Sequence, residues 1–348
     1  MQVETQNHAS NEDLTSIVAV IGRDYNEFVK NMQVLFPATG KEIVKMLTGG
    51  KQDRLYHTFD VYKKRSRVRK ARLVYSPRKE LKHLQRQLDQ FVREQFEDHK
   101  SSHGFVQGRS TRTAAETVRA TANLNEKELT NLDIQGAFPA ISGKAVRSLL
   151  RNKAKTDLNN WQINILAKIA TNSSDRLATG APSSPTIFNW RMTAADKEIE
   201  QLCERKGWKF IRYADDVSVI HYRTQKKEVV EKITGLLERF DLKIERSKLK
   251  TFRGTLKKIT GITVQDGVLR ISRQLRRLHR AIAHRLANHY EGIEVKNIYS
   301  ESESYQSIKA IPEAAAFQAG SPEAQAKGFW AYNLHAIKTT TKTSFNTC

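Results

Sequence analysis

The stretch that decides the fold is FIRYADDVSVIH, residues 210–221. Two runs rich in apolar residues, Trp208–Tyr213 and Val217–Tyr222, flank the three-residue tip Ala-Asp-Asp at 214–216. This pattern predicts two strands joined by a tight turn. Side chains alternate between the two faces of a strand, so adjacent carboxylates can point the same way only because they lie in the turn. Taken alone, such a pair is most often a solvated turn.

A third aspartate, Asp133, follows an apolar run of the same kind. It lies in NLDIQGAF (131–138), near the end of a short buried strand predicted at Thr130–Ile134. Phosphoryl transfer to a growing nucleic-acid strand needs two divalent ions roughly 3.5–4 Å apart, and Mg²⁺ prefers carboxylate oxygens. We therefore predict that Asp133, Asp215 and Asp216 together hold two Mg²⁺ ions, for which Mn²⁺ could substitute.

The chain is strongly basic. It has 59 Lys and Arg residues against 37 Asp and Glu, which gives a formal net charge of +22. Eleven of the cations fall between Lys63 and Arg86, where only Glu80 is acidic. Such a surface attracts polyanions through counterion release, so we predict a nucleic-acid partner. The alternative is a basic protein whose charge serves only solubility.

Length and composition restrict the class further. A chain of 348 residues can bury a full core and divide into two or three lobes. No run approaches the roughly 18 consecutive apolar residues of a membrane span, and the N-terminal residues lack the features of a signal peptide. Two cysteines, Cys203 and Cys348, are too few for a disulfide framework or a zinc site. We expect a soluble, cytoplasmic protein with no membrane partner.

Hydrophobic periodicity alternates between helical and strand-like along the chain. Helical spacing is found at Thr15–Thr48, after Pro77, from Gly143, and at Asp157–Ala170, Pro185–Lys206, Lys226–Phe240, Arg273–Tyr290 and Pro322–Ile337. Strand-like runs, besides those around the aspartates, are Tyr56–Tyr62, Ala71–Tyr75, Leu242–Glu245 and Ile259–Val264. This mixture predicts an α+β catalytic lobe followed by a helical C-terminal lobe.

Five segments, in this order, resemble the sequence boxes of reverse transcriptases, and especially the retron-type and related defence enzymes of bacteria. They are HGFVQGRST (103–111), NLDIQGAFPAI (131–141), TGAPSSPTIFN (179–189), YADD (213–216) and ITG (259–261). The resemblance runs from about Tyr56 to Val264. It implies a right-hand polymerase fold, with fingers in residues 1–130, a palm on a small antiparallel sheet in 131–265, and a helical thumb in 266–348.

The resemblance also implies roles at the metal site. Asp133 and Asp215 would bind both ions, Asp216 would complete the cluster, and the main-chain carbonyl of Ile134 would assist. Lys248 lies where the family has a lysine near the leaving pyrophosphate, which makes it a candidate general acid. The alternative for Lys248 is a solvated surface lysine.

Substrate contacts follow from the same resemblance. Phe138 occupies the position of an aromatic gate that favours deoxynucleotides over ribonucleotides, unless it is an ordinary core residue. Arg72, with Lys63 or Lys64, matches the finger residues that hold the triphosphate. The remaining contacts would come from Tyr213 at the primer terminus and from the backbone at Gly180 and Ala181 beside the nucleotide.

Nucleic-acid contacts are predicted from the basic segments. The helix QLRRLHRAIAHRL (274–286) has an apolar face and a basic one, which suits a lobe that follows a duplex backbone. An ordinary amphipathic surface helix is the alternative. The resemblance adds a structured RNA as the ligand. The residues assigned to nucleic acid are Arg65, Arg67, Arg69, Lys70, Arg109, Arg276, Arg277 and Arg280.

Three positions depart from the family pattern. Thr179 stands where most relatives have Gln, whose amide would contact the nucleotide or template, so we expect an effect on fidelity. Gly136 replaces a frequent acidic residue, which is tolerable if only its backbone N–H meets the triphosphate. The stretch Ala114–Val118 lacks the Asn-Ala-x-x-His element usual in retron enzymes.

These inferences predict an RNA-directed DNA polymerase of the bacterial cytoplasm. It would use dNTPs to copy a structured non-coding RNA into a short RNA-linked DNA in antiphage defence, with a separate effector protein as a further partner. One alternative is another defence-associated or group II intron-like reverse transcriptase with protein-primed or untemplated synthesis, which Thr179 and the missing Asn-Ala-x-x-His element keep open. A second is a non-catalytic RNA-binding scaffold, against which the three clustered aspartates argue.

Overall fold

The computed structural model describes residues 14–62 and 71–271. The basic hairpin tip, the predicted thumb helix at Arg273–Tyr290 and the segment at Pro322–Ile337 lie outside the described residues. In the described part, helices alternate with the strands of three antiparallel sheets, so the predicted α+β class is confirmed. Within the same ranges, no helix is long and apolar enough to cross a membrane.

The described N-terminal part is a group of short helices. The continuous helical pattern predicted from Thr15 to Thr48 is divided into α1 (Ile17–Ile21), α2 (Tyr25–Leu35) and α3 (Gly40–Thr48). The first break falls at Gly22, whose φ of 59° ends α1. The Asp24 side chain then caps α2 by accepting hydrogen bonds from two backbone N–H groups of its first turn.

A two-stranded hairpin follows, as predicted. Its strands β1 (Tyr56–Tyr62) and β2 (Ala71–Pro77) are antiparallel. The next helix, α4 (Lys79–Gln95), begins shortly after Pro77 and buries an apolar stripe at i, i+3, i+4 spacing. The hairpin is therefore an extension from the core, anchored at the end where the chain enters α4.

The central sheet contains both aspartate segments. It has four strands in the order β4 (Lys209–Tyr213), β5 (Asp216–Tyr222), β3 (Lys127–Asp133) and β6 (Lys250–Phe252), all antiparallel. Five consecutive residues of β5 are buried, because the sheet is covered on both faces.

Six more helices surround this sheet. They are α5 (Thr111–Arg119), α6 (Ala137–Ala140), α7 (Gly143–Lys153), α8 (Asn160–Ala170), α9 (Ser184–Lys206) and α10 (Lys226–Glu238). The longest, α9, has a proline in its first turn and ends at Gly207, whose φ of 68° caps the last carbonyls. It packs on β4 and α4 and carries its buried side chains into the main core.

Two of the predicted strands are wrong. Ile259–Val264 is divided between β7 (Leu256–Ile259) and β8 (Ile262–Gln265), because Thr260 and Gly261 form a hairpin turn with φ values of 47° and 87°. These strands form a small sheet with β9 (Val268–Ile271). Leu242–Glu245 forms no strand and makes only an isolated bridge from Ile244 to Ile134.

Candidate active site

The two aspartates of the YADD segment lie at a two-residue hairpin turn. Tyr213, the last residue of β4, pairs with Asp216, the first residue of β5, so Ala214 and Asp215 alone form the turn. The turn is one residue shorter than the predicted tip. Ala214 has a φ of 55°, a left-handed conformation that favours glycine. Contacts with the surrounding structure must therefore hold this turn in place.

Strand β3 brings the third aspartate to the same end of the sheet. Asp133 is the register partner of Asp216 in the pairing of β3 with β5. The Ile134 N–H donates a hydrogen bond to the Asp215 carbonyl at 3.0 Å, and the Glu245 N–H donates to the Asp133 carbonyl at 2.8 Å. The backbone thus holds the three carboxylate-bearing residues as neighbours, although 82 positions separate Asp133 from Asp215.

Burial and mutual repulsion raise the pKa of two of these carboxyl groups. Burial, followed by the charges of Asp215 and Asp133, raises the pKa of Asp216 to about 6. Burial also raises the pKa of Asp215, and the charge of Asp133 adds to it, while Arg72 and Lys248 act in the opposite direction. The turn is therefore a strongly negative site that binding of a cation would stabilise.

The carboxylate oxygens of the three aspartates suit Mg²⁺, but their side chains are not positioned to coordinate one ion together. Lys248 contacts the cluster, with its Nζ 2.5 Å from Oδ2 of Asp133. Across the described ranges, no three His, Cys, Asp or Glu side chains are arranged so that they could hold a metal ion. Carboxylate oxygens are nevertheless the ligands that Mg²⁺ prefers. Joint coordination would require side-chain rotation, with Lys248 leaving Asp133.

A buried arginine supports the turn from below. Arg212 is 1% exposed and forms a bidentate ion pair with the equally buried Asp196, at 2.7 and 2.8 Å. Its guanidinium also donates to the Ala214 carbonyl at 2.9 Å, to Oδ1 of Asn189 at 3.0 Å and to the Ser102 hydroxyl at 2.9 Å. The main chain of the turn is thus tied to α9 through one side chain.

The HGF segment runs beside β4 and closes the other side of the turn. The Arg212 N–H donates to the Ser101 carbonyl, and the His103 N–H donates to the Arg212 carbonyl, both at 2.7 Å. Gly104 lies so close to the turn that a Cβ built on it would be 2.2 Å from the Ala214 nitrogen. Glycine is therefore required at 104 by close packing.

A cavity of about 390 Å³ opens beside the aspartates. Its lining includes Ala214 and Asp215 from the turn, Lys248, and Gly136 with Phe138 from the segment after β3. Gly136 has a φ of 53°, which glycine adopts more readily than a residue with a side chain. The remaining lining residues include Arg72, Leu73, Tyr75, Phe105, Asn172, Arg176, Thr179 and Phe188.

The hairpin of β1 and β2 packs against the loop before α9 and forms one wall of the cavity. The Tyr75 N–H donates to the Thr179 carbonyl at 2.7 Å. Gly180 has a φ of 109°, and a Cβ there would meet the Tyr75 carbonyl oxygen at 2.8 Å. The backbone at 179–180 thus attaches the hairpin, and Arg72 reaches the cavity from it.

The other predicted site residues differ in how the structure positions them. Tyr213 is half-buried at the end of β4, and the Ala181 side chain is buried. Arg109 donates from Nη1 to the carbonyls of His99, Lys100 and Ser102, so its guanidinium braces the protein's own loop, and its nucleic-acid role stays a prediction. Outside the described residues lie Lys63, Lys64, Arg65, Arg67, Arg69, Lys70, Arg276, Arg277 and Arg280.

Sequence reasoning missed two residues of this site. Arg212 gave a usable signal, because a cation inside an apolar strand must find a buried partner. Phe105 gave only a weak sequence signal, because an aromatic residue after a glycine occurs in many kinds of loop and core. Its exposure of 41% and its φ of 63° become visible only in the folded chain.

A family model described as "Reverse transcriptase (RNA-dependent DNA polymerase)" matches residues 61–265, more than half of the chain. The retron Mx162 reverse transcriptase of Myxococcus xanthus is 27% identical over 244 residues, covering 61% of this chain and 49% of that protein. The retron Mx65 reverse transcriptase of the same organism is 26% identical over 258 residues, covering 67% and 56%. This chain thus spans about half the length of these two relatives.

A third relative, the retron Ec86 reverse transcriptase of Escherichia coli, is 26% identical over 235 residues, covering 66% of this chain and 70% of that protein. Among solved structures, the telomerase of Candida albicans with a fragment of telomeric RNA aligns over 84% of this chain and 58% of its own. The sequences there are 11% identical and the TM-score is 0.43. A structural likeness this slight supports no conclusion about function.

Proposed function

This chain belongs to the reverse transcriptase family and has its right-hand polymerase fold, and from this premise we propose that it is an RNA-directed DNA polymerase. The observation that carries the proposal is the meeting of Asp133, Asp215 and Asp216 at one end of the central sheet, beside a cavity of about 390 Å³. A non-catalytic scaffold would have no use for buried carboxylates whose repulsion opposes folding.

The proposed lobes follow the family fold. Fingers would take up residues 1–130, the palm 131–265 and the thumb 266–348. Strand β3 begins at Lys127, so the palm sheet starts a few residues before the proposed boundary. In this arrangement the hairpin of β1 and β2 belongs to the fingers and overhangs the palm carboxylates.

The proposed reaction is attack of a primer hydroxyl on the α-phosphorus of a dNTP, with pyrophosphate as the leaving group. Asp133, Asp215 and Asp216, with the Ile134 carbonyl, would hold two Mg²⁺ ions, or Mn²⁺ in their place. When bound, such ions activate the hydroxyl and neutralise charge on the triphosphate. Lys248, within reach of the same carboxylates, would give a proton to the departing pyrophosphate.

The cavity walls suit a nucleoside triphosphate. Arg72 would hold the phosphates from the hairpin, where its charge already acts on Asp215. Phe138 would crowd a ribose 2′-hydroxyl and so favour deoxynucleotides. Tyr213 would meet the primer terminus, and the backbone at Gly180 and Ala181 would pass close to the nucleotide.

The similarity to retron enzymes suggests the template class. We propose that the chain copies a structured non-coding RNA into a short DNA that stays joined to RNA, and that it acts in the bacterial cytoplasm. Antiphage defence with a separate effector protein is the proposed biological setting. The Thr179 substitution and the missing Asn-Ala-x-x-His element keep a second candidate, a related enzyme with protein-primed or untemplated synthesis.

The experiment is Mg²⁺-dependent incorporation of labelled dNTPs by the protein purified with its bound nucleic acid. An Asp215→Asn, Asp216→Asn double variant is the control. Product that is lost in the variant, and that RNase shortens without destroying, supports the retron-type reaction. DNA free of RNA would favour the other priming modes. Tight RNA binding without dNTP incorporation on any added primer–template would support the non-catalytic scaffold.

A further inference from the structure

Phe105 is an exposed aromatic residue in an unfavourable backbone conformation at the candidate active site. Its exposure is 41% and its φ is 63°, a left-handed value that bulky L residues rarely adopt. It lines the same cavity as Asp215 and Lys248. Neither burial nor backbone preference explains a phenylalanine here, and strained residues of this kind cluster at functional sites.

The backbone that carries Phe105 is fixed to the catalytic turn. On its N-terminal side, His103 donates to the Arg212 carbonyl at 2.7 Å, and Gly104 packs against the Ala214 nitrogen. The Gly104 carbonyl accepts a hydrogen bond from Nδ2 of Asn189 at 3.0 Å. The backbone that leads into Phe105 is therefore positioned by the turn and by α9.

Three aromatic rings follow one another across the cavity wall. The centroid of the Phe138 ring lies 6.1 Å from that of Phe105 and 5.9 Å from that of Phe188, the second contact being edge-to-face at 83°. Phe188 is fully buried, with the Arg212 guanidinium 5.8 Å from its ring centroid. Phe138 thus has two aromatic neighbours, the buried ring of Phe188 and the exposed ring of Phe105.

We propose that Phe105 is a positioning residue for sugar selection, because it prevents the Phe138 ring from moving out of the path of a ribose 2′-hydroxyl. This inference rests on the proposed polymerase function and on the gate role of Phe138. A side-chain gate excludes one hydroxyl only if its ring cannot rotate away, and a ring with one open side has other rotamers available. In the proposed role, the neighbouring Phe105 ring restricts those rotamers.

The test compares incorporation of a deoxynucleotide with that of the matching ribonucleotide, as the ratio of their kcat/KM values. Phe105→Gly removes the ring and suits a φ of 63°, so loss of folding is not expected. We expect selectivity for the deoxynucleotide to fall about tenfold, within the range that one small group supplies. Phe105→Tyr keeps the ring and should keep the selectivity. Tyr222→Leu, at an equally exposed ring at the far end of β5, is the control.

A double-variant comparison tests whether Phe105 acts through Phe138. In a Phe138→Ala background, the Phe105→Gly change should lower selectivity no further, because residues that act through one another are non-additive. An equal loss in both backgrounds, or none in either, would overturn the proposal. Weaker template binding with unchanged selectivity would also overturn it and indicate base stacking instead.

If Phe138→Ala itself leaves selectivity unchanged, the gate is absent and the inference fails while the polymerase function stands. If the wild-type protein incorporates no dNTP, both the polymerase function and the inference about Phe105 are wrong.

Discussion

At Asp216, a carboxylate proposed for metal binding lowers the stability of the folded protein. Its pKa is raised to about 6, so the folded protein binds a proton there more tightly than the unfolded chain does. The stabilising contribution is therefore complete at low pH and is lost as the pH rises through 6. At neutral pH the ionised group destabilises the fold, which is the common cost of a preorganised site.

Asp216→Asn should therefore stabilise the protein at pH 7.5 by about 1–2 kcal/mol, after allowance for solvent screening, while abolishing dNTP incorporation. Urea denaturation at pH 7.5 and at pH 4.5 measures this, and the gain should be clearly smaller at the lower pH, where Asp216 is protonated in the folded protein. Part of the gain persists there because the carboxyl of the unfolded chain, with its ordinary pKa of 3.8, is still ionised. Asp60→Asn, at an exposed position of β1, is the matched control. An equal gain at both values would contradict the electrostatic explanation.

Arg212 is the residue whose loss should matter most for the turn. Breaking a buried ion pair by removing one partner typically costs about 3–5 kcal/mol, because the other charge is left uncompensated. We expect this destabilisation for Arg212→Met and a similar one for Asp196→Leu. The double variant should be less destabilised than the sum of the two, which a double-mutant cycle by chemical denaturation would test. Simple additivity would mean that the pair does not act as a unit.

At the scale of elements, the attachment of the hairpin depends on the backbone at Gly180. An added methyl group would meet the Tyr75 carbonyl oxygen at 2.8 Å, and a φ of 109° is unfavourable for any other residue. Gly180→Ala should cost about 1–3 kcal/mol of stability and raise the KM for dNTPs several-fold, because Arg72 reaches the cavity from this hairpin. Steady-state kinetics measure the KM.

Gly207→Ala is the control for that variant. Gly207 also has a positive φ, 68°, but an added Cβ would meet nothing within 4 Å. It should therefore lose stability through backbone strain alone and keep the wild-type KM. If both variants shift the KM equally, the hairpin contact is not what positions Arg72.

Local sequence signals predicted most elements, and their failures have physical reasons. Strand-like apolar patterns identified β1, β2, β4 and β5, since such patterns depend only on neighbours along the chain. The turn at Thr260 and Gly261 was missed because it reverses the chain direction inside Ile259–Val264 without interrupting the run of apolar residues for long. At the site, Asp133 could be paired with Asp215 by motif order. The contact of Phe105 with Phe138 could not, because it depends on how Gly104 packs against the turn.

At the scale of the whole molecule, His103 should make stability fall as the solution becomes acidic, in opposition to Asp216. Burial and the nearby charges of Arg109 and Lys209 lower the pKa of His103 to about 4. Between pH 6.5 and 4 the unfolded chain is protonated at this histidine while the folded protein is not. The stability contribution is thus complete above pH 6.5 and is lost as the pH falls towards 4.

The expected loss from His103 is up to about 2–3 kcal/mol across this window, at about 1.4 kcal/mol for each pH unit. Guanidinium denaturation of wild type and of His103→Gln, at half-unit steps from pH 7.5 to 4, would measure it. The variant's curve should be flatter by that amount. Parallel curves would mean that His103 is solvated well enough to titrate normally.

The pairing of the HGF segment with β4 has a further consequence for assembly. β4 is one of the two outer strands of the central sheet, and outer strands offer unpaired hydrogen-bonding groups to which a second chain can pair. Here residues 101–103 cover that edge near its turn end, through both backbone groups of Arg212. The same residues that pack against the Ala214–Asp215 turn thus block addition of a second chain at this end of β4. Because this cover includes His103, acid would loosen it, so fibrillar aggregation is expected to begin at the turn end of β4.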